Sequence, residues 1–260
     1  MHKVVVCVSG PLGLYRVPVI RKIMDPWLHQ TFFRQSCTYG DDRHLTNLLL
    51  KMGWKVTYTP FSKCLTETPI SFFRFFKQQT RWSKSFFREL FWSGQAFHKH
   101  SILYGYEMIF HTIYPFVLGF WQMWILWRGS FKQQVIAFAV IFVLGIVKSL
   151  VAFIVAKCQT RMLYFMFYLL YYLVLLIPAK LLALATLHHT SWGTRGASSD
   201  YLSYAVLGVW NLNLLSGLVY SIYRTFYFWE NSDIIYAYVL TGIMASYLTL
   251  FFIGKLNGFY

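Results

Sequence analysis

Five long apolar segments after residue 100 constrain the fold of this chain more than any other feature of its sequence. They cover residues 104–127, 133–156, 162–187, 201–223 and 234–254. Each reaches the length of about 20 apolar residues that a helix needs to cross a bilayer. Residues 101–260 are therefore predicted to form an all-α polytopic membrane domain.

The distribution of charge divides the chain near residue 100. Residues 1–100 hold 15 of the 24 Lys and Arg residues and 5 of the 9 Asp and Glu residues. The net charge of +15 has two interpretations. In the first, basic residues accumulate on the cytoplasmic side of the membrane, as in any multi-span protein, and the charge alone favours this interpretation. In the second, they bind an anionic substrate or product. No nucleic-acid recognition motif accompanies the charge, so nucleic acid is not an expected partner.

Residues 1–68 mix strand and helix patterns in the manner of an α/β domain, with too few strands for a complete sheet. The predicted elements are a strand over 3–8, a helix over 17–34, a helix from Asp41 or Asp42 to about Met52, and a strand over 54–59. The four cysteines show no CxxC pair and no zinc spacing, so neither a metal centre nor a disulfide framework is expected.

Residues 69–100 are predicted to contain amphipathic helices. Five basic residues recur there at spacings of 3 or 4, which places them on one helical face: Arg74, Lys77, Arg81, Lys84 and Arg88. A basic helix that is also rich in Phe and Trp is typical of a membrane interface, with its cations toward phosphate. The alternative is the solvated face of a soluble helix, and the apolar segments that follow favour the interfacial interpretation.

Six short motifs occur along the chain in a fixed order. They cover residues 9–16, 40–47, 64–69, 78–85, 178–180 and 192–196. Together they resemble the hyaluronan synthases, which are membrane-embedded, processive family-2 glycosyltransferases. Members of that family carry two N-terminal spans and metal-binding DxD aspartates, and no DxD precedes residue 40 here. The resemblance implies a C-terminal portion of such an enzyme, with residues 1–68 forming the C-terminal half of a GT-A catalytic domain.

The Gly40-Asp41-Asp42 motif implies the catalytic base. Inverting glycosyl transfer needs a carboxylate that takes the proton from the attacking hydroxyl. The resemblance assigns that role to Asp42, with Asp41 beside it. Spacing alone favours a role in capping the helix that begins there, because Asp is a common residue at the start of a helix.

Two further motifs imply an acceptor and nucleotide site. The resemblance places Gln78, Arg81 and Trp82 there, and a guanidinium can hold a pyrophosphate while an indole face can stack on a sugar. Ser9 and Gly10 are implied to lie beside the acceptor sugar. Without its neighbours, Trp82 would be interpreted as one more interfacial aromatic residue.

The segment between the third and fourth apolar stretches resembles the gating loop of the family. Residues 188–200 contain the motif Trp192 to Gly196, in which Trp192, Thr194 and Arg195 are the implied functional residues. The loop meets a cytosolic nucleotide only if residues 162–187 do not cross the membrane completely. Pro178 and Lys180 favour a break there, so this segment is predicted to be re-entrant or interfacial.

The resemblance implies a complete function. The enzyme would polymerise UDP-GlcNAc and UDP-glucuronate at a cytoplasmic catalytic face and extrude the nascent polysaccharide through the lipid bilayer. The resemblance implies that this membrane is the plasma membrane. Mg²⁺ or Mn²⁺ is expected for the full enzyme, with its ligands absent from this chain. Two alternatives stay open: a chitin-synthase-like GlcNAc transferase, and a catalytically inactive, truncated membrane partner of a full-length synthase.

Overall fold

The computed structural model is mostly helical and describes residues 5–8, 10–37, 39–57, 59, 62, 64–96, 99–100, 102–155, 159–188 and 201–226. Its helices are α1 (Val17–Leu28), α2 (Asp41–Lys51), α3 (Phe72–Gln95), α4 (Ile102–Arg128), α5 (Phe131–Val155), α6 (Tyr168–Tyr171), α7 (Ile177–Ala185) and α8 (Tyr201–Phe226). Ser9, the gating-loop residues Trp192, Thr194 and Arg195, and the predicted span 234–254 lie outside the described residues.

The chain divides into two compact units. The first consists of Met1–Tyr114 together with Ala179–Ser198, and the second consists of Pro115–Pro178 together with Ser199–Tyr260. The first unit therefore contains most of the predicted catalytic motifs, whereas the second contains most of the apolar helices.

A short hairpin replaces the end of the predicted helix over 17–34. α1 stops at Leu28, and the strands β1 (Thr31–Phe32) and β2 (Gln35–Ser36) pair in antiparallel register. The two residues between the strands, Phe33 and Arg34, have φ values of 48° and 65°. Such a left-handed pair matches the twist of a two-residue hairpin turn. The helix prediction was therefore wrong beyond Leu28.

The two strands predicted at 3–8 and 54–59 do not form among the described residues. The Val8 N–H donates to Thr46 Oγ1 at 3.0 Å, so this segment packs on a helix rather than on a neighbouring strand. The Trp54 N–H likewise returns to the Leu49 carbonyl at 3.1 Å, closing the end of α2. A strand exists only where a second strand supplies its hydrogen bonds, and β1 and β2 are the one pair in the described part of the chain.

The core of the first unit lies between α1 and α2. It contains the buried side chains Val19, Ile23, Leu45, Leu48 and Leu49. The start of α2 at Asp41 confirms the predicted helix.

Two side chains from the segment before α4 lie at the last turn of α2. Lys99 Nζ donates to the Lys51 carbonyl at 2.7 Å, and His100 Nε2 lies 2.8 Å from the Leu50 carbonyl.

Four helical stretches are long and apolar enough to cross a membrane: Ile102–Arg128, Gln133–Ile154, Thr160–Ala185 and Tyr201–Thr225. Three of them are regular α-helices close to the predicted bounds. The stretch over 160–185 is irregular, because it passes from a 3₁₀ helix at Thr160–Phe167 through α6 and a π-helix at Tyr172–Leu176 into α7.

In the second unit, α4 and α8 run parallel to each other. A side-chain carbon added at Gly119 would lie 3.0 Å from the Trp210 ring, and one added at Gly217 would lie 3.1 Å from Leu126 Cβ. Further along the same direction, Arg224 donates to the Gly129 carbonyl. Contacts therefore advance along both helices in the same sense, which establishes their parallel packing. The glycines permit the close approach.

Candidate active site

The start of α2 lies directly against α3. Gly40 has a φ of +87°, and a side-chain carbon there would lie 2.8 Å from Ser85 Cβ. Both the backbone conformation and the contact require glycine at this position. The Arg43 guanidinium lies 5.3 Å from the centroid of the Phe86 ring. The Gly-Asp-Asp motif and the C-terminal end of the Gln78–Ser85 motif therefore meet in the structure.

Asp42 is partly buried in the first turn of α2, whereas Asp41 is exposed. Asp42 Oδ1 accepts a hydrogen bond from the Arg43 N–H at 2.8 Å. This bond satisfies one of the free amides at the start of the helix, so the carboxylate does contribute to capping. Its second oxygen remains directed toward the segment that contains Gly10.

Gly10 lies beside Asp42. A side-chain carbon at Gly10 would be 3.8 Å from Asp42 Oδ2. The backbone of this segment is held by the bond from Val8 to Thr46, whose own hydroxyl donates to the Asp42 carbonyl at 2.8 Å. Thr46 thus joins the Gly10 segment to the turn of α2 that carries Asp42, and the position of Gly10 relative to an acceptor sugar stays a prediction.

The surroundings of Asp42 keep two neighbouring groups protonated. Burial raises the pKa of the Cys7 thiol to about 11, with a further contribution from Asp42 that Arg43 opposes. Burial also raises the pKa of Tyr15, again with Asp42 as a further cause. The Cys7 thiol and the Tyr15 hydroxyl therefore both keep their protons at neutral pH beside Asp42.

Gln78, Arg81 and Trp82 lie in the first half of α3. The Trp82 side chain is 52% exposed, so its ring is accessible as a stacking surface. Arg81 is half-buried. Burial raises the pKa of Tyr39 to about 12, and the cations Arg88 and, to a smaller extent, Arg81 oppose this rise. Among the described residues, no hydrogen bond or ion pair joins Gln78 or Trp82 to Asp42.

A buried polar cluster around Glu89 was not predicted from the sequence. Glu89 is 2% exposed and accepts hydrogen bonds from Gln30 Nε2 at 2.7 Å, Asn47 Nδ2 at 3.0 Å and His44 Nδ1 at 2.9 Å. Ser93 Oγ donates to Asn47 Oδ1 at 3.1 Å. The cluster fixes α2 on α3. The only signal in the sequence is a single carboxylate in an otherwise basic helix.

His44 connects this cluster to α1. Its Nδ1 lies 2.9 Å from a Glu89 carboxylate oxygen, and its Nε2 lies 3.2 Å from the Pro26 carbonyl oxygen. Both ring nitrogens therefore face acceptor atoms of other helices, which holds the His44 ring in place. The contact between His44 and Glu89 is buried and lies two residues from Asp42.

The basic stripe of α3 does not form one uniform face. Arg88 is 3% exposed and lies over the Tyr39 ring at 4.7 Å and the Phe32 ring at 5.5 Å. Its Nη2 donates to the Leu187 carbonyl at 2.8 Å. Burial lowers the pKa of Lys84 to about 8, and Arg88 contributes to this shift. The C-terminal part of the stripe therefore serves packing within the first unit, and the interfacial position of α3 stays a prediction.

The described residues contain no group of three or more His, Cys, Asp or Glu side chains that could hold a metal ion. Family-2 glycosyltransferases generally use a divalent metal. Because the described residues contain no such group, none of them is assigned to metal binding.

Comparison with known proteins shows which class of protein this chain resembles. Residues 1–85 match the family described as glycosyltransferase like family 2. With four helical stretches suited to crossing a membrane among its described residues, the chain is similar to membrane glycosyltransferases.

The particular relatives are hyaluronan synthases. The chain is 38% identical over 220 residues to hyaluronan synthase 3 of Xenopus laevis, covering 84% of this chain and 39% of that protein. It is 36% identical over 220 residues to hyaluronan synthase 3 of Homo sapiens and 37% identical over 221 residues to hyaluronan synthase 2 of Bos taurus, with 84% of this chain and 40% of each relative covered. The resemblance inferred from the six motifs is confirmed. The chain spans about two fifths of the length of these curated relatives.

Proposed function

We propose that this chain supplies the acceptor side and membrane helices of a hyaluronan-synthase-type glycosyltransferase. The complete enzyme would polymerise UDP-GlcNAc and UDP-glucuronate and extrude the polysaccharide through its own spans. The observation that carries this proposal is the partly buried Asp42 carboxylate beside Gly10, at 3.8 Å from a carbon placed there, in a chain related to hyaluronan synthases.

Asp42 acts as the general base in this proposal. An acceptor hydroxyl held against the Gly10 segment gives its proton to Asp42 as its oxygen attacks the anomeric carbon of the donor sugar. The bond from that carbon to the UDP oxygen breaks at the same time. A positioned base of this kind contributes about 10²- to 10⁴-fold to the rate. The protonated neighbours Cys7 and Tyr15 do not compete for the proton.

Residues of α3 complete the proposed site. Arg81, with Gln78 beside it, binds the diphosphate as negative charge develops on the leaving group. The exposed ring of Trp82 stacks on the acceptor sugar. Trp192, Thr194 and Arg195 are proposed to close over the nucleotide. A divalent metal, when bound, would neutralise the diphosphate, and residues outside those assigned here would hold it.

Residues 1–68 are proposed to be part of a GT-A domain. The Val5–Val8 segment is apolar and is tied to α2 by a single backbone hydrogen bond, from Val8 to Thr46. Leu14 and Leu65, which are 95% and 100% exposed, lie in neighbouring motif segments. These features support a surface that further strands of a complete synthase would cover.

The parallel packing of α4 and α8 restricts the membrane topology. If both helices cross the bilayer, they begin on the same side, and α4 ends on the opposite side. Only one of the two stretches between them, α5 and 160–185, can then cross completely. We infer that α5 crosses, because it is a regular helix over 25 residues, whereas 160–185 is irregular and contains Pro178. This supports a re-entrant or interfacial segment before the gating loop, with Gln78 to Trp82 on the cytoplasmic side.

The residue Gln159, between α5 and the irregular stretch, tests this topology. In a chain with Cys158→Ser and Gln159→Cys, an impermeant maleimide applied to intact cells should leave position 159 unlabelled, and labelling should require permeabilisation. Labelling in intact cells would mean that 160–185 crosses instead of α5. A cysteine at Ser130, between α4 and α5, is the matched control and should be labelled from outside.

The function itself is tested by fusion to the remainder of a relative. The chain replaces the matching region of human hyaluronan synthase 3, and membranes receive labelled UDP-GlcNAc and UDP-glucuronate. We expect a polymer that contains both sugars and is degraded by hyaluronidase. Asp42→Asn should reduce polymer formation by about 100-fold or more at unchanged protein level, whereas Asp41→Asn should have a smaller effect.

The same assay decides between the alternatives. Incorporation of GlcNAc without glucuronate would indicate a chitin-synthase-like transferase. No polymer from a stably inserted fusion would indicate an inactive membrane partner.

A further inference from the structure

Two cations approach the same aromatic ring beside the proposed active site. The Arg43 guanidinium lies 5.3 Å from the centroid of the Phe86 ring, and Lys180 Nζ lies 5.5 Å from it. Phe86 is 9% exposed, so the ring that both cations contact is largely buried. Arg43 comes from the first turn of α2 and Lys180 from α7, so residues from two distant parts of the sequence meet at one ring.

Neither cation has an anionic partner in the described part of the chain. No carboxylate oxygen lies within 4.0 Å of the Arg43 guanidinium or of Lys180 Nζ among these residues. Both side chains are only partly accessible to water. Two half-buried cations at one ring repel each other, and each has lost part of its hydration. An anion that contacts Arg43 and Lys180 together would therefore be bound by two charge-assisted interactions.

The cations lie on the acceptor side of the site. Arg43 follows Asp42 directly, and it is the cation that opposes the rise in the pKa of the Cys7 thiol. A sugar chain that leaves Asp42 toward α7 would pass this point.

We propose that Arg43 and Lys180 form a subsite for the carboxylate of a uronic acid residue in the acceptor polysaccharide. This inference rests on the proposed function and specifies the sugar class that the acceptor side selects. The guanidinium offers two parallel donors to a carboxylate, and the ammonium adds a point charge. The apolar ring of Phe86 keeps water from the back of both cations.

The same cations could meet a diphosphate or a lipid phosphate, since all three ligands present anionic oxygens. The carboxylate can be isolated by comparing two oligosaccharides that differ in nothing else. One is a hyaluronan tetrasaccharide, and the other is the same molecule with its carboxylates reduced to alcohols. Binding of each to the full chain in detergent micelles would be measured by titration calorimetry.

We expect the wild-type chain to bind the uronate form about tenfold more tightly, as befits one charge-assisted contact that is partly open to water. Lys180→Gln should remove most of this preference while leaving the affinity for the reduced form unchanged. Lys180→Arg should retain the preference, which shows that the charge and not the fold is responsible. Lys22→Gln, an exposed cation on α1, removes the same net charge and should change nothing.

The outcomes separate the subsite from the function on which it rests. If Lys180→Gln and Arg43→Gln both preserve the preference, the subsite assignment is wrong and the acceptor site stands. If the wild-type chain binds both forms equally while Lys180→Gln weakens binding of UDP or of anionic lipid vesicles, the cations serve phosphate and the proposal fails. If neither oligosaccharide binds the wild-type chain, the proposed acceptor site fails together with the subsite.

Discussion

The two units of this protein use buried polar side chains in different ways. In the first unit, the Glu89 carboxylate contacts Gln30, Asn47 and His44, and the contacts with Asn47 and His44 join α3 to α2. In the second unit, the Gln134 side chain donates through Nε2 to the Ile125 carbonyl at 3.2 Å, and its Oε1 accepts a hydrogen bond from Ser221 Oγ. The first cluster surrounds a carboxylate and joins helices along their length, whereas the second is neutral and lies at helix ends.

This difference follows from the surroundings of each unit. A buried carboxylate is costly to desolvate, but it fixes geometry because it requires hydrogen-bond donors from its neighbours. A neutral amide or hydroxyl costs less where lipid is near, and the free carbonyls at a helix end are available partners. The first unit is therefore aligned rigidly around the start of α2, whereas weaker hydrogen bonds hold the packed helices of the second unit.

Glu89→Gln should be the most destabilising of three substitutions that test this contrast. It removes the buried carboxylate that contacts Gln30, Asn47 and His44, and a buried polar group left without its partner costs about 1–3 kcal/mol. The measurement is the midpoint of denaturant unfolding of the first unit, followed by tryptophan fluorescence in micelles. Adding His44→Gln to the same chain should cost less than His44→Gln does alone, because the two side chains contact each other. A double variant as unstable as the sum of the single variants would contradict this coupling.

Lys84 should make the stability of the first unit depend on pH. Its pKa of about 8 in the folded chain lies below the ordinary value of 10.5, so the unfolded chain binds more protons between these two values. The free energy of unfolding should therefore rise as the pH increases from 8 to 10.5, by on the order of 3 kcal/mol at most. Lys84→Met should remove the part of this rise that Lys84 contributes.

The matched control is Lys22→Met, which removes an exposed lysine. It should keep the full pH dependence of the wild-type chain. Tyr15 and Tyr39 have raised pKa values and act in the opposite direction at high pH, so the informative quantity is the difference between the two variants.

Gln134→Leu should have the smallest effect. It removes neutral hydrogen bonds at the turn between α4 and α5 and should cost about 1 kcal/mol. Thermal unfolding of the second unit in micelles would measure it. Gln159→Leu is the control, because Gln159 is exposed and its side chain has no hydrogen bond among the described residues. A loss as large as that of Glu89→Gln would remove the distinction between the units.

Local pattern was sufficient to predict some elements and insufficient for others. α2 begins at Asp41 as predicted, because its glycine, acidic first turn and apolar periodicity agree with one another. The hairpin after Leu28 could not be predicted, since its position depends on Gln30 reaching Glu89 from 59 residues away. The strand predicted at 3–8 lacks a neighbouring strand in the described chain, and an apolar run alone cannot reveal that.

The candidate site shows the same division. The motifs indicated Asp42, Gly10 and Trp82, and the structure places Gly10 against Asp42. The burial of Glu89 and Arg88 depends on which distant segments pack on α3, which spacing along the chain does not encode. The convergence of Arg43 and Lys180 on Phe86 is of this kind as well.

The parallel arrangement of α4 and α8 has an electrostatic consequence. The backbone dipoles of neighbouring parallel helices add, so if both cross the bilayer, the membrane face on which both begin carries two partial positive charges of roughly half an elementary charge each. In the proposed topology α5 crosses in the opposite direction, and its negative end offsets one of these charges. The far ends of α4 and α8 carry the corresponding negative charge, where Arg224 and the Gln134 amide meet the exposed carbonyls. The remaining positive end would attract an anion to the first face through the backbone alone.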